Sequence, residues 1–131
     1  MHRSIELVLK EYDKDTWQLE QEINIILPIV TARIKIPKGF KTNFASIPKI
    51  LRSVIDDNED SILIPSIIHD YLYSKGSIAW TSRTEKFHYV TKKEADQILE
   101  HLMKDYGAPY WKYKLVYLTV RLFGDKYWKT S

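Results

Sequence analysis

An α+β fold is predicted, with a small N-terminal antiparallel β-sheet followed by a helical C-terminal half. Three observations carry that prediction. The first forty residues hold β-branched and apolar residues in partial alternation, as in SIELVLKEY, TWQLEQEINII and IVTARIKIP. After Phe40 the grammar changes, and Ser46 precedes Ile47-Pro48 in the manner of a helix start. From Thr91 onward, apolar residues recur at helical spacing behind a capping-box signature. A chain of 131 residues, 44% apolar and 28% charged, suits one domain over 1–131 with one core.

Taken in order, Asp13-Lys14-Asp15 is a turn between the first two strands. Pro28 ends the second, because it cannot donate to a ladder, and Pro37-Lys38-Gly39 marks the next turn. Ser46 caps a short helix running to about Val54. Asp56-Asp57-Asn58-Glu59-Asp60 is a solvated acidic loop without the pattern of a calcium hand. Asp60 or Ser61 caps the following helix, which runs to about Ser74 with Pro65 in its first turns and Gly76 as its stop. Residues 77–90 read as loop, with a short strand near Phe87 to Val90. In Thr91-Lys92-Lys93-Glu94, Thr91 caps the backbone and Glu94 reaches back. Ala95, Ile98, Leu99, Leu102, Met103 and Tyr106 then form one stripe. Gly107 stops that helix, and Pro109 opens a last one ending near Phe123.

Composition excludes several classes. The chain has no cysteine, so disulfides and thiolate metal sites are ruled out. No apolar run is long enough for a transmembrane helix. The segment MHRSIELVLKEYDKD has no signal-peptide h-region, so no signal peptide is expected. A net charge of +3 is too weak to argue nucleic-acid binding. The charge is uneven, however: Lys112, Lys114, Arg121, Lys126 and Lys129 stand among aromatics in the last stretch, against Asp125 alone. That stretch could lie against a membrane or phosphates. A core helix with lysines reaching outward is the preferred reading, because a domain this small needs those aromatics inside.

The chemistry concentrates in IPSIIHDYLYSKG. A helix turns roughly 100° per residue, so His69 and Tyr73 share a face with Asp70 beside them. On the later helix Asp96 borders the apolar stripe instead of opposing it. If the two helices pack antiparallel, Asp96 approaches His69. A carboxylate on one imidazole nitrogen fixes the tautomer and makes the other a base. Tyr73 would hold Asp96, and Asp70 would hold a hard cation through oxygen. The bland reading stands beside this one: a buried His-Asp pair also satisfies polar groups with no chemistry at all.

H-D-x-x-Y with a downstream A-D pair resembles the core of phospholipase A2-like proteins over roughly residues 66–103. The resemblance implies His69 as the catalytic base, Asp96 as its partner, Tyr73 beside them and Asp70 as a calcium ligand. The glycine-rich calcium loop of those proteins is absent upstream of His69, where only Gly39 stands. Asp70 alone is a poor calcium site, so weak or no calcium binding is expected. A second resemblance spans roughly residues 34–124. IPKGFKTNFASIPKIL, HDYLYSKG, TKKEADQIL and YLTVRLFG, in that order, resemble an uncharacterised phage and prophage family, domain of unknown function family 1353. It implies a phage origin and a place in the host cytoplasm or virion. Asn43 stands where that family has an aspartate.

Other candidates are plainer. Ser46 invites a triad with His69 and Asp96, but no G-x-S-x-G elbow surrounds it and helix capping explains it better. Thr42 and Asn43 are ambiguous in the same way, since both are common turn formers. His88 and His101 are isolated, and a metal phosphohydrolase would need a histidine upstream where only His2 is available. The leading expectation is a small hydrolase acting on a lipid or other ester, with His69, Asp96 and Tyr73 catalytic and Asp70, Asn43, Thr42 and Ser46 binding. The alternative is a non-enzymatic virion component, or a module that binds and inhibits a phage or host protein.

Overall fold

The computed structural model describes residues 9–13, 16–29, 32–42, 60–74, 78–81, 86–125 and 128. Strands β1 (Leu9–Asp13), β2 (Thr16–Leu19), β3 (Ile23–Leu27), β4 (Ala32–Ile36) and β5 (Lys41–Thr42) precede helix α1 (Asp60–Ser74). A hairpin of β6 (Ile78–Thr81) and β7 (Lys86–Tyr89) then leads to α2 (Lys92–Asp105) and α3 (Tyr110–Phe123). The fold is α+β with a helical C-terminal half. The helix expected after Ser46, the acidic stretch before Asp60, and Gly76 lie outside the described residues.

The strands form two small antiparallel sheets instead of one. The first has the order β1-β2-β5 and the second β3-β4-β6-β7. The long second strand read from TWQLEQEINII breaks at the polar Glu20-Gln21-Glu22, and its two halves join different sheets. The reading of 77–90 as mostly loop is corrected too. Its residues form a hairpin in the register Ile78↔Tyr89 to Thr81↔Lys86, which docks on β4 through Arg33↔Trp80. The connection carries no glycine or proline to advertise a turn, which is why the sequence concealed it.

Alternation places Ile23, Leu27, Ala32, Ile34 and Ile36 inward. They meet Ile64, Ile67, Ile68, Leu72 and Tyr73 of α1 in one core cluster. α2 serves two layers. Ala95, Ile98, Leu102 and Tyr106 join that first core, while Leu99 and Met103 pack with Tyr113, Val116 and Val120 of α3 in a second. Its start has the expected capping box, with the Glu94 N–H donating to Thr91 Oγ1 and the Thr91 N–H donating to Glu94 Oε1. Gly107, at φ 97°, supplies the left-handed turn that ends α2.

The last helix departs from expectation. Tyr113 is buried, but Tyr110, Trp111 and Phe123 are exposed. The preferred reading of that segment as a core helix therefore holds for one face only. Outside that face, apolar residues stand among Lys112, Lys114 and Arg121.

Candidate functional site

α1 and α2 pack so that the two polar residues bordering their apolar faces meet. His69 Nε2 lies 2.7 Å from Asp96 Oδ1, and both side chains are fully buried. Tyr73, one turn after His69, donates its hydroxyl to the same oxygen at 2.6 Å. Its ring stacks obliquely on the imidazole at 4.2 Å and meets Trp128 edge-on at 5.1 Å. The tyrosine is thereby clamped by its ring while its hydroxyl holds the carboxylate.

The second carboxylate oxygen has partners that the sequence reading missed. Lys92 Nζ donates to Asp96 Oδ2 at 3.1 Å and Arg121 Nη1 donates at 3.0 Å. Lys92 sits four residues before Asp96 on α2, a spacing that could have flagged it. It also donates to the Val120 carbonyl at 3.1 Å and lies 3.4 Å from Asp125. Arg121 comes from α3, and only the packing of that helix brings it here. Asp96 therefore accepts from four donors on three helices.

Burial by itself would raise the Asp96 pKa. The hydrogen bond and charge of His69, then the hydrogen bonds of Tyr73 and Lys92, outweigh it and hold the carboxyl below its ordinary value. Asp96 is thus a carboxylate that only accepts, so Nε2 of His69 carries a hydrogen. In the neutral ring the lone pair is then on Nδ1, the nitrogen a general base would use. For Tyr73, burial first and then the hydrogen bond and charge of Asp96 push the phenol pKa well up, so it stays a donor.

The structure requires a glycine just behind this cluster. A Cβ on Gly124 would lie 2.5 Å from the Val120 carbonyl oxygen and 2.9 Å from the Tyr73 hydroxyl. On the same helix as the histidine, three residues earlier, Ser66 Oγ is buried with no hydrogen-bond partner among the described residues. Sequence reasoning passed over it as one more residue of an apolar run.

Asp70 is partly exposed and sits apart from the buried dyad. Thr42 Oγ1 donates to its Oδ2 at 2.5 Å, tying the end of β5 to α1. Asn43 and Ser46 lie outside the described residues. Calcium requires six to eight oxygens. Among the described residues no group of three or more His, Cys, Asp or Glu gathers to hold a metal, and Asp70 has Thr42 as its neighbour here. His101 is placed away from the dyad, 3.4 Å from Asp105 on the exposed side of α2.

A family model described as a protein of unknown function (DUF1353) matches residues 17–120. The chain belongs to this family. The match takes in β2, α1, α2 and most of α3, and so contains His69, Asp70, Tyr73, Lys92 and Asp96 in this DUF1353 member. No curated protein and no solved structure matches it.

Proposed function

We propose that this DUF1353 protein is a small hydrolase of esters, with His69 as general base. The observation that carries the reading is the short contact of His69 Nε2 with a carboxylate that Tyr73 also holds. For the reaction His69, whose side chain is buried in this structure, has to meet water and substrate; its Nδ1 then takes a proton from the water as the water oxygen bonds to the ester carbonyl carbon. The tetrahedral intermediate then expels the alkoxide, which receives that proton from the imidazolium, giving acid and alcohol. Asp96 orients the ring and stabilises its cationic form. Lys92 and Arg121 hold the other side of the carboxylate, so the orientation does not depend on His69 alone. No step is routed through calcium. The resemblance to phospholipase A2-like cores makes a phospholipid the leading ester, and that to phage proteins makes the host cytoplasm or the virion the setting.

A second reading has its own support. Asp96 finds all four donors within the chain, and it and His69 are sealed from solvent. Such a network serves equally as the tie between three helices in a binding module for a phage or host protein. The experiment that separates the two is a hydrolysis screen of the parent chain, run on nitrophenyl esters and on mixed phospholipid vesicles in the presence of a chelator. Release of carboxylic acid above the buffer rate is expected. A parent inert across both panels removes the hydrolase reading.

A further inference from the structure

Ser66 of α1 is 3% exposed, and its Oγ meets no hydrogen-bond partner among the described residues. Burying a hydroxyl without a partner is costly, so native structures rarely leave one bare. The usual remedy for a helical hydroxyl is the carbonyl one turn back in its own helix. Thr119 of α3 takes it, donating to the Leu115 carbonyl at 2.8 Å. Ser66 does not. The side chains three or four residues away along α1 are those of Ile62, Leu63, His69 and Asp70. The first two are apolar, and Thr42 draws Asp70 toward β5. His69 is the polar neighbour within the helix that lies toward the dyad.

Geometry joins the two. Ser66, His69 and Tyr73 fall within roughly 60° of one another around the helix. Helical side chains lean back over the preceding turn. Tyr73 does so, with its ring 4.2 Å from the imidazole. The same lean lays the imidazole over the turn that carries Ser66. His69 Nε2 is held at Asp96 on α2, so Nδ1, bonded to the ring's attachment carbon, is the nitrogen nearer α1. Cβ atoms three residues apart in a helix are about 5–6 Å from one another. Two hydrogen bonds in series through one water span roughly 5.5 Å. Two polar partners are enough to hold a buried water.

We propose that Ser66 holds the hydrolytic water against His69. The inference rests on the hydrolase reading and deepens it, by giving the buried dyad its nucleophile. The water donates one hydrogen to Nδ1 and the other to Ser66 Oγ, which leaves a lone pair for the ester carbon. The O–H bond toward Nδ1 breaks as the water oxygen bonds to that carbon and the carbonyl π electrons move onto the carbonyl oxygen. The other hydrogen stays on the attacking oxygen.

The test is a crystal structure of the full chain together with kinetics of Ser66→Ala and Ser66→Thr. An ordered water within hydrogen-bonding distance of Ser66 Oγ and His69 Nδ1 is expected in the parent and not in Ser66→Ala. Ser66→Ala should lower kcat on a nitrophenyl ester about ten- to hundred-fold at nearly unchanged KM. Its pH profile should not move, because His69 and Asp96 stay in place. Ser66→Thr keeps the hydroxyl and should recover most of the rate, at a temperature where unfolding curves show each variant folded. A hydrolysing parent with no water at Ser66, or with Ser66→Ala at the parent rate, overturns the proposal and leaves the hydrolase reading standing. An acyl group found on Ser66 by mass spectrometry also overturns it and makes the serine the nucleophile. A parent that holds the water but hydrolyses no ester overturns the hydrolase reading and the water's role with it.

Discussion

Replacing Asp96 by asparagine removes the charge on which four donors converge while keeping the side chain's shape. Asparagine offers one carbonyl oxygen, so in either orientation its amide nitrogen faces a pair of donors. That pair is His69 and Tyr73, or else Lys92 and Arg121. Breaking a buried charged pair costs about 3–5 kcal/mol. The Lys92 and Arg121 side chains are 15% and 32% exposed, so part of their loss is recovered by water and they count at the low end. His69 and Tyr73 cannot recover it, being fully buried. The expected loss is about 3 kcal/mol, a large share of the roughly 5–15 kcal/mol that holds a domain together. Urea unfolding at neutral pH should show it as a lowered midpoint with an unchanged slope. Thermal unfolding should fall by roughly 10 °C. A loss under about 1 kcal/mol would refute the view that Asp96 ties the three helices.

Tyr73→Phe keeps the ring contacts with His69 and Trp128 but deletes the bond to Asp96, and should cost about 1.5–3 kcal/mol by the same unfolding measurement. Stability should fall at both pH extremes. The lowered Asp96 pKa contributes stability that is present above the unfolded value of about 3.9 and is lost as pH falls through the folded one. The raised Tyr73 pKa contributes stability that is present below about pH 10 and is lost as pH rises toward its folded value, and a pH series of melting curves should show this alkaline decline reduced in Tyr73→Phe. Ile29 follows Pro28 in the β3–β4 connection at φ 72°, where a β-branched residue is strained. Ile29→Asn should therefore raise stability by about 1 kcal/mol, read as a higher urea midpoint.

The dyad was legible because helix geometry is local. His69 and Tyr73 are four apart, and Asp96 borders a stripe defined by Ala95, Leu99 and Met103, so both faces followed from spacing alone. The capping box at Thr91 and the stop at Gly107 were equally local. What packing decides was not legible. Arg121 reaches Asp96 only because α3 crosses α2 at Leu99 and Met103. The split between β2 and β3 depends on which partner strands are available, which no local pattern states. α3 misled for a physical reason. The reading gave the aromatics to the core and turned only the lysines outward, whereas the helix keeps Trp111, Leu118 and Leu122 in solvent as well.

The most direct measurement is the initial rate of ester or phospholipid hydrolysis by the parent and by His69→Gln, at a temperature where unfolding curves show both folded. Glutamine can still donate to Asp96 but cannot take a proton from water. If His69 is the general base, the rate falls by about 10²–10⁴ while the melting temperature moves little. If the variant hydrolyses at the parent rate, or the parent rate never exceeds that of buffer, His69 is not a catalytic base and the dyad is only a tie between helices.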